Sequence, residues 1–268
     1  MLDLIMEWAL PEEGIRTVLL VGSRAANGKQ DKLSDYDISV FGRYDEFATH
    51  DDWLKKIGPY LVCVHDQFDW EEILIPTRLV IFENGIKADF AFHPNPLLEQ
   101  MIDKRQLSPT YDAGYKVILD KDGRADCLPK ASLLGYTLKA PTQNEFSNAW
   151  NEFWFEAYHV AKYLHRNDLW IAGLRGEWMK KWLLKMLEWN ASAKSGFSLC
   201  IQNDGKNLRN WIDAKYYARL DPCFSGWGQS TGIASLYACL DLFSGITKET
   251  ALILRLAVDN KVEGGSKD

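Results

Sequence analysis

Residues 18–41 read VLLVGSRAANGKQDKLSDYDISVF, and their pattern decides the fold. The run Arg16-Thr-Val-Leu-Leu-Val21 has the β-branched and Leu content of a buried strand. Gly22-Ser23 punctuates it. Residues 36–41, YDISVF, alternate in polarity and predict a second strand, opened by Asp35-Tyr36-Asp37. Side chains two apart on a strand share a face. Asp35 and Asp37 therefore project together, with Cα atoms about 6.6 Å apart from the rise per residue. Tyr36, Ile38 and Val40 turn the other way, into apolar packing. Two carboxylates so close repel each other. A hard divalent cation such as Mg²⁺ relieves that repulsion and prefers oxygen ligands.

A third acid follows. Residues 79–82, then Glu83-Asn84-Gly85, then residues 86–92 (IKADFAF) read as a hairpin, because Asn-Gly between apolar runs is a strong hairpin signal. Ile86, Ala88, Phe90 and Phe92 share one face of that strand. Lys87, Asp89 and Ala91 share the other. An acid amid an apolar strand is costly unless paired or ligated. Three acids on neighbouring strands suit one or two Mg²⁺ ions carrying a triphosphate. Gly22-Ser23 offers backbone N–H groups and a hydroxyl to phosphate oxygens. Arg24 adds a forked cation for the phosphate charge. Any one of these features alone is common in structural roles. Their combination points to a catalytic site.

The chain has 268 residues, 47% hydrophobic and 25% charged, an ordinary globular composition. With 31 Lys+Arg and 37 Asp+Glu the net charge is −6, which disfavours a general nucleic-acid binder and favours a cationic ligand. The charge is uneven. Residues 1–135 hold 23 acids and 15 basic residues, and residues 136–268 hold 14 and 16. Three of the 11 Trp precede residue 135 and eight follow it. The five Cys are scattered without a CxxC pair, which argues against a disulfide framework or zinc site. The acidic N-terminus is unlike a signal peptide, and no apolar run approaches the roughly 18 residues of a membrane span. A cytoplasmic protein with no membrane partner is expected. Oligomeric state is not legible.

The remaining first-half elements read as a helix at 2–10, a short helix at 51–57 with Asp51 as its N-cap, strands at 60–65 and 115–120, and a helix at 97–104. Near residue 140 the period becomes helical. Thr142 and Glu145 form a capping-box pattern. Long helices are expected over about 142–164 and 169–189, with further helices at 206–219, 230–244 and 247–258. The fold class is α+β: a mixed-sheet domain over 1–135, a helical domain over 136–260 and a frayed tail over 261–268.

The order strand, Gly-Ser, D-x-D strand and acid-bearing hairpin resembles the polymerase-β-like nucleotidyltransferase superfamily. More closely, the chain resembles the aminoglycoside 6-adenylyltransferase (streptomycin adenylyltransferase) family. The residues carrying this are GSRAAN (22–27), SDYDISVF (34–41), DDWLKKIG (51–58), KADF (87–90) and ILDKDG (118–123). In the second half they are NEFWFEAYHVAKYL (151–164), KKWLLKMLEW (180–189) and SGFSL (195–199). The resemblance implies Mg²⁺-dependent transfer of AMP from ATP to a hydroxyl, with release of pyrophosphate. It implies that Asp35 and Asp37 ligate metal and that Gly22, Ser23 and Arg24 hold the triphosphate. Asp89 would complete the metal site or act as general base. The chain departs from the family where two alanines, not one residue, separate Arg24 from Asn27.

An aminoglycoside is a polycation rich in hydroxyls, so its pocket should present carboxylates and aromatic faces. Glu145, Glu152 and Glu156 share a helix face, with Trp150 and Trp154 beside it. Glu145, Glu152, Trp154 and Glu156 are the expected acceptor contacts. Lys180, Lys181 and Lys185 are candidates for the triphosphate, Lys185 foremost. His93, ahead of Pro94, reads as structural. Two other readings compete with the aminoglycoside one. The acceptor is another hydroxyl compound, such as a lincosamide or a metabolite, or the chain binds nucleotide without catalysis.

Overall fold

The computed structural model describes residues 1–25, 33–43, 45–201, 203–224 and 226–258. Asn27 and the tail from 259 onward lie outside the described residues. The chain divides into two compact units, Met1–Gly135 and Tyr136–Asp268.

The first unit is a six-stranded mixed sheet. Its strands are β1 (Ile15–Val21), β2 (Tyr36–Gly42), β3 (Tyr60–Trp70), β4 (Ile73–Phe82), β5 (Lys87–Pro94) and β6 (Lys116–Asp120). Their spatial order is β3-β4-β5-β2-β1-β6. The β2–β5 pair is parallel and every other neighbouring pair is antiparallel. Helices α1 (Leu2–Ala9), α2 (Asp45–Thr49) and α3 (Leu54–Ile57) cover one face. There Trp8 stacks on Trp53 at 4.5 Å and meets the edge of Phe90. Helices α4 (Asn95–Asp103) and α5 (Pro109–Asp112) pack on the other face against Leu19, Val21 and Phe41. Strand β1 is thus buried on both sides, as its unbroken apolar run requires.

The β4–β5 hairpin forms at Asn84-Gly85, with Gly85 in the left-handed region at φ +76°. The first hairpin is longer than its sequence predicts. β3 runs to Trp70 rather than His65, and β4 begins at Ile73 rather than Leu79. The turn between them is Glu71-Glu72, both with positive φ (+47° and +69°). That is a two-residue turn built without Gly or Asn, so the usual signal is absent. Asp51 does not cap a helix. Its carboxylate instead accepts from the buried Arg78 (2.8 Å) and pairs with His65 (2.7 Å).

The second unit consists of α6 (Gln143–His165), α7 (Leu169–Lys194), short α8 (Leu208–Trp211) and α9 (Ala214–Tyr217), and α10 (Gln229–Leu254). The Thr142–Glu145 capping box is present, with the Thr142 N–H donating to Glu145 Oε2 at 2.7 Å. Phe153 stacks on Phe243 at 3.6 Å in the core between α6 and α10. The helix expected over 206–219 is broken in two, because Ile212 is extended and Asp213 caps a new start. The two helices expected over 230–258 are one. Gly245 does not interrupt it, and the buried Thr250 hydroxyl bonds back to the Ile246 carbonyl at 2.7 Å. No helix among the described residues is long and apolar enough to cross a membrane.

Candidate active site

The acids meet where β2 and β5 run side by side. Parallel register places Asp37 opposite Asp89 and Tyr36 opposite Ala88. The faces are those set by alternation: Ala88, Phe90 and Phe92 are buried in the core, and Asp89 faces the α4 side. Asp35 stands just before β2. The Lys87 ammonium lies between it and the third acid, 2.9 Å from Asp35 Oδ2 and 2.6 Å from Asp89 Oδ2. One cation therefore already bridges two of the three carboxylates.

Burial pushes the Asp89 carboxyl above the usual carboxylate range, against the pull of Lys87. Burial works against the Lys87 charge too, but its two acid partners hold its pKa above the ordinary lysine value. Asp89 Oδ1 is buried without a hydrogen-bond partner among the described residues. An orphaned carboxylate oxygen beside two other acids, with a lysine ammonium drawn in among them, is a donor set that fits a hard divalent ion.

Gly22 explains the end of β1. Its φ is +68°, and a Cβ there would lie 1.9 Å from Asp37 Oδ2. The Gly22–Arg24 turn therefore passes directly beneath the Asp37 carboxylate. Ser23 sits in that turn, partly exposed. The Arg24 guanidinium donates to the Ser34 carbonyl (2.7 and 2.9 Å) and the Asp35 carbonyl (3.2 Å), and stacks 3.9 Å over Tyr36. It holds the backbone that delivers Asp35.

A cavity of about 730 Å³ opens beside the acids, within the first unit. It runs from Val21, Asp37 and Asp89 across the sheet face to the β3–β4 hairpin and to α4 and α5. Sequence reading missed both Lys87 as a partner of the acids and this hairpin as a cavity wall. The signal for Lys87 was its spacing two before Asp89. The hairpin had no turn signal to find.

The helical candidates are on α6 and α7. Glu145 is occupied in the capping box. Glu156 is buried and accepts from Arg175 at 3.1 and 3.2 Å, tying α6 to α7. Glu152 and Trp154 are half-buried. Lys185 pairs with Glu188 at 3.4 Å and lies over the Trp189 ring. On the opposite side of the first unit's sheet, the ligand atoms of Asp51, Cys63 and His65 lie within 4.8 Å of one another. Both Asp51 carboxylate oxygens are already taken, Oδ1 by Arg78 and Oδ2 by His65, so unlike Asp89 this acid presents no orphaned oxygen to a metal ion.

The sequence profile of the streptomycin adenylyltransferase family matches residues 1–264. An aminoglycoside 6-adenylyltransferase of Bacillus subtilis (strain 168) is 30% identical over 277 residues, covering 100% of this chain and 94% of that protein. One from Campylobacter jejuni is 28% identical over 258 residues, covering 93% and 86%. The crystal structure of an aminoglycoside 6-adenyltransferase from Bacillus subtilis superposes with a TM-score of 0.47 at 26% identity, over 98% of this chain and 94% of that one. A profile that spans nearly every residue, including the strand-end glycine and all three acids, decides the membership: the chain belongs to the streptomycin adenylyltransferase family, and is a nucleotidyltransferase.

Proposed function

We propose that the protein transfers AMP from ATP to the 6-hydroxyl of a streptomycin-type aminoglycoside, releasing pyrophosphate and inactivating the drug. The observation that carries this reading is the in-register pairing of Asp37 with Asp89, with Asp35 alongside and Gly22 packed beneath. The names of the relatives point the same way.

Asp35, Asp37 and Asp89 would hold Mg²⁺, which when bound supplies charge neutralisation at the phosphates. The Gly22–Arg24 turn takes the triphosphate, because only a residue without Cβ lets that backbone approach Asp37. Arg24 fixes the loop that carries Asp35. The acceptor hydroxyl oxygen attacks the α-phosphorus, and the bond from α-phosphorus to the bridging oxygen breaks. Pyrophosphate leaves with that electron pair. Either Asp89 completes the metal site through its Oδ1, unpartnered among the described residues, and the hydroxyl proton passes to solvent, or that oxygen accepts the proton as general base. Such a reaction depends mostly on positioning and electrostatics.

The test is incubation with MgATP and streptomycin. A product heavier by one AMP and equimolar pyrophosphate are expected. Asp37→Asn should reduce turnover at least a hundredfold. Failure on every aminoglycoside of a panel overturns the acceptor class, and full activity of Asp37→Asn overturns the metal assignment.

A further inference from the structure

The cavity extends well beyond the acids, and its far end has its own chemistry. Two cross-strand rows line its floor. One runs Asp37, Asp89, Leu79, Val64, and the next runs Ser39, Ala91, Thr77, Asp66. Ser39, Ala91 and Thr77 are small, so the second row forms a trough leading from the β2–β5 seam to Asp66 on β3. Strands lie about 4.8 Å apart, which puts β3 roughly 10 Å from β5, the reach of a multi-ring sugar.

The charge around this trough is one-sided. Among the described residues the cavity is lined by Asp37, Asp66, Asp69, Glu71 and Asp89, against Lys104, with the Lys87 ammonium 2.6 Å from Asp89. Lys104 is already placed on Glu71 (3.5 Å), which also accepts from Gln100 (2.6 Å). The Asp66 carboxylate has no hydrogen-bond or ion-pair partner among the described residues. Phe68 and Trp70 share its strand face, Phe68 44% exposed.

The floor also holds a buried imidazole, whose Nε2 lies 3.4 Å from the Tyr111 hydroxyl. His93 lines the cavity and is 1% exposed, and its Nδ1 has no hydrogen-bond partner among the described residues. Phe41 stacks on its ring at 4.8 Å and Trp70 meets it edge-on at 5.1 Å. Burial pushes its pKa down to about 3, so it is a neutral imidazole and adds no positive charge.

A triphosphate is repelled by unpaired carboxylates. It belongs at the Gly22 end, on the β1 side of the acids. We infer that the β3–β4 end is the acceptor subsite: Asp66 binds a cationic group of the acceptor, Phe68 and Trp70 from the same strand face pack on it, and its hydroxyl approaches Asp89 along the Ser39–Ala91–Thr77 trough. The inference rests on the functional reading above and moves the main acceptor contacts from α6 to the first unit. A guanidinium fits such a site, since it pairs with carboxylates and stacks on aromatic rings.

The test is steady-state kinetics of the full chain carrying Asp66→Asn, with streptomycin and MgATP varied separately. At low ionic strength the KM for streptomycin should rise at least fivefold while the KM for MgATP changes less than twofold. The streptomycin effect should shrink towards 1 M salt, where the screening length is about 3 Å. Isothermal titration with streptomycin alone should show the same loss of affinity. Glu83→Gln, on the β4–β5 turn outside the cavity, is the control and should leave both KM values unchanged. A rise in streptomycin KM below fivefold, or an equal rise for MgATP, overturns the subsite while leaving the proposed reaction standing. Wild-type protein that neither binds nor adenylylates any aminoglycoside overturns the functional reading and the subsite together.

Discussion

At the scale of single residues, the site depends on one missing methyl group. Gly22 is required twice, by its left-handed φ and by the Asp37 carboxylate that fills the space of a Cβ. In Gly22→Ala the cheapest relief is rotation of Asp37 away, since a carboxylate moves more easily than a strand. The left-handed backbone adds about 1 kcal/mol of strain. The expected outcome is a kcat lower by about a hundredfold, the size of effect a misplaced group produces. Circular dichroism should show the fold retained. Alternation made the acids legible in the sequence, because a period of two fixes which side chains share a face. The dependence of Asp37 on Gly22 was not legible, because it is a contact between two strands whose register only the fold sets. Lys87 was overlooked for a related reason: a lysine beside an acid is ordinary until a second acid is brought to its other side.

At the scale of elements, local rules served where the chain obeys them. The Asn84-Gly85 hairpin and the Thr142 capping box follow their rules and were predicted. The Glu71-Glu72 turn does not. Two glutamates hold positive φ there, at a cost that the ten-pair β3–β4 ladder sustains. Replacing Glu72 by Gly removes a Cβ from a left-handed position. The midpoint of thermal unfolding should rise, corresponding to about 0.5–1 kcal/mol. Differential scanning calorimetry checks this, and a fall would show that Glu72 makes a contact worth more than the strain.

In the helical unit, Glu249 of α10 is held by Tyr216, by Lys194 at 3.0 Å and by Lys215 at 2.9 Å. Burial pushes its pKa up, but these partners outweigh that and bring it down to about 2. A folded pKa below the unfolded one gives stability that is present above about pH 4.3 and lost as pH falls towards 2. Glu249→Gln should therefore be less stable than wild type at pH 6, by about 1 kcal/mol because the group is partly exposed. The two should converge near pH 2. Urea denaturation across that range measures the difference.

At the scale of the whole molecule, the uneven charge acquires a location. The acid excess of residues 1–135 includes the three proposed metal ligands and Asp66 of the cavity rim. Removal of divalent cations with EDTA should abolish turnover, and added Mg²⁺ should restore it. Activity that persists in EDTA would exclude the metal role of the acids. The change of period near residue 140 and the clustering of Trp made the helical half legible in advance. The breaks and fusions within it were not, because Ile212 and Gly245 each act against their local expectation.

The acids of β3 bear on more than recognition. β3 is eleven residues long and terminates the sheet, with Leu61, Val62, Val64 and Phe68 exposed along it. An edge of that length and apolarity invites pairing with a second chain. Asp66 and Asp69 interrupt it with like charge, which is how natural sheets discourage edge-to-edge aggregation. If the proposed subsite holds, the Asp66 carboxylate serves solubility as well as acceptor binding, and Asp66→Asn would leave the strand edge more prone to pair with a second chain.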